Sequence, residues 1–350
     1  MSIGVWNIRG LNKVVKQKEV IDVIRDNNLG ICAVVESHVK ILNLKNVCSK
    51  TFGNWDWISN SRSCEVGTRI IVGWDPKLFD IMVISQSKQV IHCYVKFIGS
   101  DYSMFLSFIY AASRYIERRA LWEDLKKFSL TVKKEAWCIL GDFNVALKES
   151  DYSEGCSKIL KGVDEFSECI NFIEVEDLNS TGFQFTWNKS PVGNKGILKK
   201  LDRIMANMKF MSDHPLAHSA FKPYRISDHC PAVLIIPNCK MRWKSSFRFA
   251  NFIADKDEFL PMVKDIWSTN IDGFFMFKLT QKLKVMKKYC RQLCNKFRGS
   301  EMKIKELRKE LGNIQMKIDQ EPFNATYREE NANILFEYNV ACNGEEKLLS

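Results

Sequence analysis

Eight polar side chains stand where apolar runs of this chain end: Asn7, Glu36, Tyr110, Asp142, Asn144, Asp202, Asp228 and His229. Their types suit hydrolysis of a phosphodiester. A hard carboxylate such as Glu36 can hold a divalent cation that keeps several waters and meets a phosphate oxygen. A second carboxylate, Asp142, can orient and deprotonate an attacking water, and the amide of Asn144 aligns that water without adding charge. A histidine backed by an aspartate, as in the adjacent Asp228-His229 pair, is held in one tautomer and favoured as imidazolium, so it can stabilise charge building on phosphate oxygens. Each residue alone is unspecific, because Asp and Asn favour strand exits for reasons of turn geometry. The ordered set points to a site.

The centre of the set is GDFN, residues 141–144, which follows the apolar run AWCIL. That run reads as a buried strand. Alternate strand side chains share a face, so Asp142 and Asn144 are expected to point the same way, with Phe143 in the core. Earlier in the chain, residues 3–8 form a strand ending near Asn7. Residues 14–27 carry the apolar spacing of an amphipathic helix that Gly30 stops, and residues 31–35 form a buried strand ending in Glu36. Strands follow closely at 56–59, 69–74, 79–85, 90–97 and 103–110, separated by polar turns bearing Gly, Asp or Pro. Helices are expected over 117–129 and 163–174, strands over 183–187 (FQFTW) and 201–206, and a last buried strand over 230–236 directly after Ser227-Asp228-His229. This mixture predicts two packed sheets with helices outside, the polar residues gathering where strand ends converge. The first domain is expected to span residues 1–238.

The chain has 350 residues, 46% of them hydrophobic, and a net charge of +11. It can bury a large core, and the charge suits a polyanionic partner. Nearly all of the excess lies in residues 278–317, where 13 Lys/Arg face 3 Asp/Glu. The 12 cysteines form no CxxC pairs and many sit in apolar runs, which argues against a zinc site and suits a reducing compartment. No segment is long and apolar enough for a bilayer, so a membrane partner is not expected. Residues 239–350 form a mostly helical, basic tail. Its apolar positions from Leu279 to Ile318 keep a heptad spacing broken only at Ser300, which predicts either one long helix or a hairpin folded at Gly299-Ser300, ended by Pro322.

The motifs WNIRGLN, VVES, FIY, GDFN, TWNK, LDRIMAN and SDH occur in the order of the endonuclease/exonuclease/phosphatase superfamily. The chain most resembles the endonuclease of LINE-type non-LTR retrotransposons, particularly plant elements, over about residues 3 to 236. The resemblance implies a four-layer α/β sandwich and a DNA endonuclease using Mg²⁺, with Mn²⁺ as the alternative ion. It implies Asn7 and Glu36 on the metal side, Tyr110 on the phosphate, Asp142 activating water, Asn144 aligning it, and Asp202 supporting the centre. Asp228 and His229 would form the orienting pair, with Ser227 beside them. One position departs from abasic-site repair enzymes of the superfamily: where they carry an Asp, this chain has Arg9, which cannot bind a metal. The loop over residues 188–200 is expected to meet DNA through Lys195, Lys199 and Lys200, with Arg114 as a further contact. The tail would be the linker before a reverse transcriptase absent from this chain, making it a truncated reading frame. A reverse transcriptase module or element RNA would be a further partner, and the nucleus the place of action. Two other functions fit the residues: a nucleic-acid-binding remnant without activity, and a phosphoesterase of small phosphate esters.

Overall fold

The computed structural model describes residues 1–153, 161–189, 196–237, 254, 258–271 and 275–349. The chain opens with β1 (Ser2–Asn7), α1 (Val14–Asp26) and β2 (Leu29–Val35), a right-sized crossover that sets β2 parallel to β1. Gly30 does not stop the helix. It lies inside β2, where a Cβ would come 2.5 Å from the Phe79 ring, so its role is close packing. Next comes α2 (Ile41–Phe52), followed by β3 (Asp56–Ser59) and β4 (Ile70–Trp74). A meander of β5 (Phe79–Gln86), β6 (Val90–Phe97) and β7 (Ser103–Tyr110) leads through α3 (Tyr115–Thr131) to β8 (Trp137–Asp142). Then follow α4 (Lys161–Ile173), β9 (Val175–Asp177), β10 (Ser180–Gly182), the small pair β11 (Trp187–Asn188) and β12 (Leu198–Lys199), β13 (Asp202–Asn207), α5 (Met208–Asp213), β14 (His218–Phe221) and β15 (Ala232–Ile235).

Two large mixed sheets result, in the orders β10-β14-β15-β1-β2-β4-β3 and β5-β6-β7-β8-β13-β9. Alternation along the strands explains the layering. In β1, Ile3 and Val5 face the second sheet; in β8, Cys138 and Leu140 face the first, and these residues share one buried cluster with Leu106, Phe108, Ile204, Ala232 and Leu234. The outward residues of β8, Trp137 and Ile139, instead pack under α3 and α4 with Leu121, Leu125, Phe166 and Ile170. On the other side Trp6, Cys32 and Val34 pack under α1 and α2 with Val20, Val23 and Val47. The architecture is thus helix, sheet, sheet, helix, the sandwich expected from the sequence.

The expected strand over 183–187 is not one. Only Trp187 and Asn188 pair as β11; before them Phe183 and Thr186 donate to the Phe221 and Lys199 carbonyls, but Gln184 and Phe185 do not join a ladder. The amides of Gln184 and Phe185 are satisfied by the Asp319 carboxylate, at 3.0 Å each, instead of by a neighbouring strand. Alternation of FQFTW matched a strand period, but the hydrogen-bond partner is a side chain far along the chain.

Beyond the sandwich lie α6 (Phe259–Ser268), α7 (Phe275–Gln320) and α8 (Ala325–Leu349). No fold occurs at Gly299-Ser300, because α7 runs through both; the turn comes at residues 321–324, beside Pro322. The chain divides into two compact units, one of Met1–Met241 with Leu311–Leu335, the other of Arg242–Glu310 with Phe336–Ser350. Within the second unit the heptad seam is visible in buried Cys290, Ile304 and Leu307, with Tyr338 and Cys342 buried from α8. There Arg308 donates to the Tyr338 hydroxyl at 3.0 Å. Among the described residues no helix is long and apolar enough to cross a membrane.

Candidate active site

The polar residues lie at one open end of the sandwich because they continue the inward-facing parity of their strands. Asn7 follows Ile3 and Val5 on β1, Asp142 follows Cys138 and Leu140 on β8, Tyr110 follows Leu106 and Phe108 on β7, and Asp202 precedes Ile204 and Ala206 on β13. Pairing brings them together: Asp142 is opposite both Tyr110 and Asp202. Gly141 makes the β7–β8 approach possible. Its φ is +148° and a Cβ there would lie 2.0 Å from the Ile109 carbonyl oxygen, so no side chain is accommodated. Past the strand ends, Arg9, Glu36, His38 and Asn144 all have φ near +50°, a conformation that costs energy and collects at functional sites.

The centre is a continuous hydrogen-bonded set. The Asn7 amide donates at 2.9 Å to both Glu36 Oε2 and Asp142 Oδ2. Asp142 Oδ1 accepts from the Asn144 backbone N–H at 2.8 Å. His229 Nδ1 lies 2.9 Å from Asp202 Oδ2 and its Nε2 lies 3.8 Å from Asp142 Oδ2. The carboxylate that backs His229 is therefore Asp202 and not its neighbour Asp228, a correction to the sequence reading. Asp228 lies in the bend before His229 and turns instead to Arg9 Nη1 at 2.6 Å and Trp187 Nε1 at 3.1 Å. Ser227 holds the backbone of the site, its Oγ donating to the Asn7 carbonyl at 2.6 Å and accepting from the His229 N–H at 3.2 Å. Phe143 is fully buried as expected. The Asn144 side-chain amide donates to the Ala111 carbonyl at 2.8 Å and lies at the cavity wall.

Asp142, Asp202 and His229 are 0%, 3% and 4% exposed, so their charges interact strongly. Burial pushes the Asp142 carboxyl up to about 7, with His229 pulling the other way. Burial opposes charge on His229, but Asp202 and Asp142 outweigh it and raise the imidazole to about 9. Burial also works against the Glu36 carboxylate, yet the Asn7 amide, His38 and Arg9 hold it below its usual range. Tyr110 is kept a phenol by burial and by the Glu36 and Asp142 carboxylates.

Two groups of residues could hold a divalent cation. Asp142, Asp202 and His229 each bring one ligand atom within 4.8 Å of the others. In the structure His229 Nδ1 and Asp202 Oδ2 of this group are already hydrogen-bonded to each other. Glu36 is ionised, borders the cavity and is joined to Asp142 by Asn7, which is an oxygen-rich fit for a hard ion that keeps its waters.

Above this centre opens a cavity of about 1000 Å³, bordered by Arg9, Glu36, Tyr110, Arg114, Asn144, Tyr152, Lys161, Trp187, Lys199, Asp228 and His229. Of the expected nucleic-acid contacts, Arg114 and Lys199 line this cavity. The Lys199 ammonium lies over the rings of Tyr152 and Trp187, 5.2 and 5.6 Å from their centroids. Lys200 does not face the cavity: as the next residue of an extended segment it points away, paired with Asp177 at 3.4 Å. Lys195 lies outside the described residues.

Several supporting residues escaped the sequence reading. Arg118, buried in α3, donates at 3.0 Å to the carbonyls of Ala112, Ser113 and Asn144, tying the loops on both sides of the cavity. The signal was there, since Arg118 continues the apolar stripe of Leu121 and Leu125. Arg203, fully buried beside Asp202, pairs with Asp151 and Asp177. Asp151 in turn accepts from the N–H groups of Leu147 and Lys148 at 2.8 Å and fixes the loop after GDFN.

No protein-family model matches the chain. Among solved structures it is similar to the endonuclease domain of TRAS1, a telomere-specific non-LTR retrotransposon, at TM-score 0.53 and 14% identity over 68% of this chain and 99% of that one. It is similar to the AP endonuclease LMAP from Leishmania major, at TM-score 0.54 and 12% identity over 67% and 86% of the two chains. An AP endonuclease from Archaeoglobus fulgidus matches at TM-score 0.51 and 14% identity over 68% and 99%. With a four-layer sandwich whose strand ends converge on Asn7, Glu36, Asp142, Asp202 and His229, this chain shares the fold of these solved endonuclease structures.

Proposed function

We propose that this chain is a metal-dependent DNA endonuclease that nicks one strand of a duplex, in the manner of a retrotransposon endonuclease. The observation that carries the reading is the His229–Asp202 hydrogen bond, 2.9 Å long, beside an Asp142 carboxylate that shares the Asn7 amide with Glu36. Asp142 takes the proton of the attacking water, for which a carboxyl raised to about 7 is well matched near neutral pH. The His229 imidazolium, held by Asp202, faces charge developing on the phosphate. Tyr110 is a neutral donor to a phosphate oxygen, and Asn144 aligns the water. Glu36, oriented by the Asn7 amide, would hold Mg²⁺ or Mn²⁺, which when bound polarises the phosphate. A large cavity with cationic Arg9, Arg114, Lys161 and Lys199 at its border suits a polymer of phosphates. The likeness to an endonuclease domain of a non-LTR retrotransposon supports that setting.

Nicking of supercoiled plasmid by the full chain, with Mg²⁺, Mn²⁺ or EDTA, tests the reading. Metal-dependent conversion to the open circle is expected. Folded protein that nicks nothing at any salt with either ion would refute it, and phosphate release from soluble inositol phosphates with DNA left intact would assign the site to small phosphate esters.

A further inference from the structure

The tail reaches back to the wall of the cavity. Residues 183–186 lead into β11, and the amides of Gln184 and Phe185 donate to the two oxygens of Asp319, each at 3.0 Å. Asp319 sits in the last turn of α7, where the helix dipole disfavours an acid. Its two charge-assisted bonds to the Gln184 and Phe185 amides offset that cost. Next to it Ile318, 1% exposed, packs with Phe185 and Leu198. One turn earlier Gln315 accepts from the Arg225 N–H at 3.2 Å. Arg225 is itself in the left-handed region, with φ of 51°, three residues before Asp228. On α8 Arg328 donates to the Gly196 carbonyl at 3.4 Å, ahead of β12. The two segments so gripped meet at the site: Trp187 Nε1 donates to Asp228 at 3.1 Å and the Asn188 N–H donates to the Asp228 carbonyl at 2.9 Å.

We propose that Leu311–Leu335 is a brace of the DNA-cleaving site, with Asp319 as its positioning residue: it holds the 183–188 and 224–228 segments so that Trp187, Lys199 and Asp228 form a fixed wall against the substrate strand. The proposal rests on the cleavage reading above and adds to it a part of the chain that lies beyond the sandwich sequence. Asp319 touches no reacting atom, so its loss should weaken substrate binding rather than the chemical step.

The test uses the full chain and compares the parent with Asp319→Ala, Asp319→Asn and the exposed-site control Asn313→Ala. Plasmid nicking gives kcat and KM, and amide hydrogen exchange reports on residues 184–188. Expected for Asp319→Ala is a KM raised about tenfold with kcat nearly unchanged, the pattern of lost uniform binding, and faster exchange at Gln184 and Phe185. Asp319→Asn keeps one acceptor and should recover part of both effects, while Asn313→Ala changes neither. If Asp319→Ala does not fold, Asp319→Asn is read alone, with a smaller shift of the same kind. Unchanged KM and exchange in a folded variant would overturn the brace, as would a fall in kcat at constant KM. A parent that nicks nothing overturns the cleavage reading; the brace is then decided by exchange and by duplex affinity, which must fall in Asp319→Ala.

Discussion

The assignment of a partner to His229 has consequences that a substitution can separate. Asp202 holds Nδ1 directly, whereas Asp228 is engaged with Arg9 and Trp187. Asp202→Asn should lower kcat for nicking by about 10²- to 10⁴-fold, the range for losing the group that orients a catalytic imidazole. Asp228→Asn should cost about tenfold, through the loosened Arg9 and Trp187. Equal losses would reject the assignment. The protonation state gives an independent check. In protein freed of divalent ions, the His229 ring should titrate in an NMR experiment at about 9, above an ordinary histidine. The imidazolium is then present throughout the neutral range and is lost as pH rises through that value. Asp202→Asn removes the nearer counter-charge, so the midpoint should fall toward the ordinary histidine value.

At the scale of the elements, two buried features fix where β8 and β13 end. Gly141→Ala would drive a Cβ into the Ile109 carbonyl, 2.0 Å away, one pair before the end of the β7–β8 ladder. Backbone atoms must move, so either no folded protein or a loss of more than about 3 kcal/mol is expected by denaturant titration. Arg203 is the second. It is completely buried and answers two carboxylates, Asp151 and Asp177. Arg203→Ala leaves the buried Asp151 carboxylate without its cationic partner, while Asp177 keeps Lys200, with an expected cost of about 3–5 kcal/mol and a melting temperature lower by about 6–20 °C. Because Asp151 anchors the loop after GDFN, nicking should fall with it. A variant that melts within 2 °C of the parent would show that the triad is not a structural anchor.

For the molecule as a whole, the cavity's charge predicts how it meets a polyanion. Arg9, Arg114, Lys161 and Lys199 border the cavity, so duplex affinity should fall steeply with salt. Each phosphate contact contributes about 0.9 to the slope of log K against log salt, so Arg114→Ala with Lys199→Ala should flatten it by about 1.8. Lys200→Ala, whose ammonium is paired with Asp177 on the far side, should leave the slope unchanged. Fluorescence anisotropy across a salt series measures both, and equal slopes for all variants would remove the cavity as the DNA contact.

The sequence by itself determined the layers and the identity of the polar set. A strand's period of two and a helix's period of 3.6 are local, so buried runs such as 31–35 and 136–140 declare themselves, and a polar residue at each run's end stands out. Parity even foretells that Asn7, Asp142 and Asp202 share the space between the sheets. Only the tertiary structure decided who touches whom. His229 is backed by a residue 27 positions away and not by its neighbour. The alternation of FQFTW was satisfied by a carboxylate 134 positions away from Phe185. Arg118 and Arg203 became supports because the carbonyls and carboxylates they answer converge from separate elements. Hydrogen bonds and ion pairs are set by distance in space, which no local period encodes.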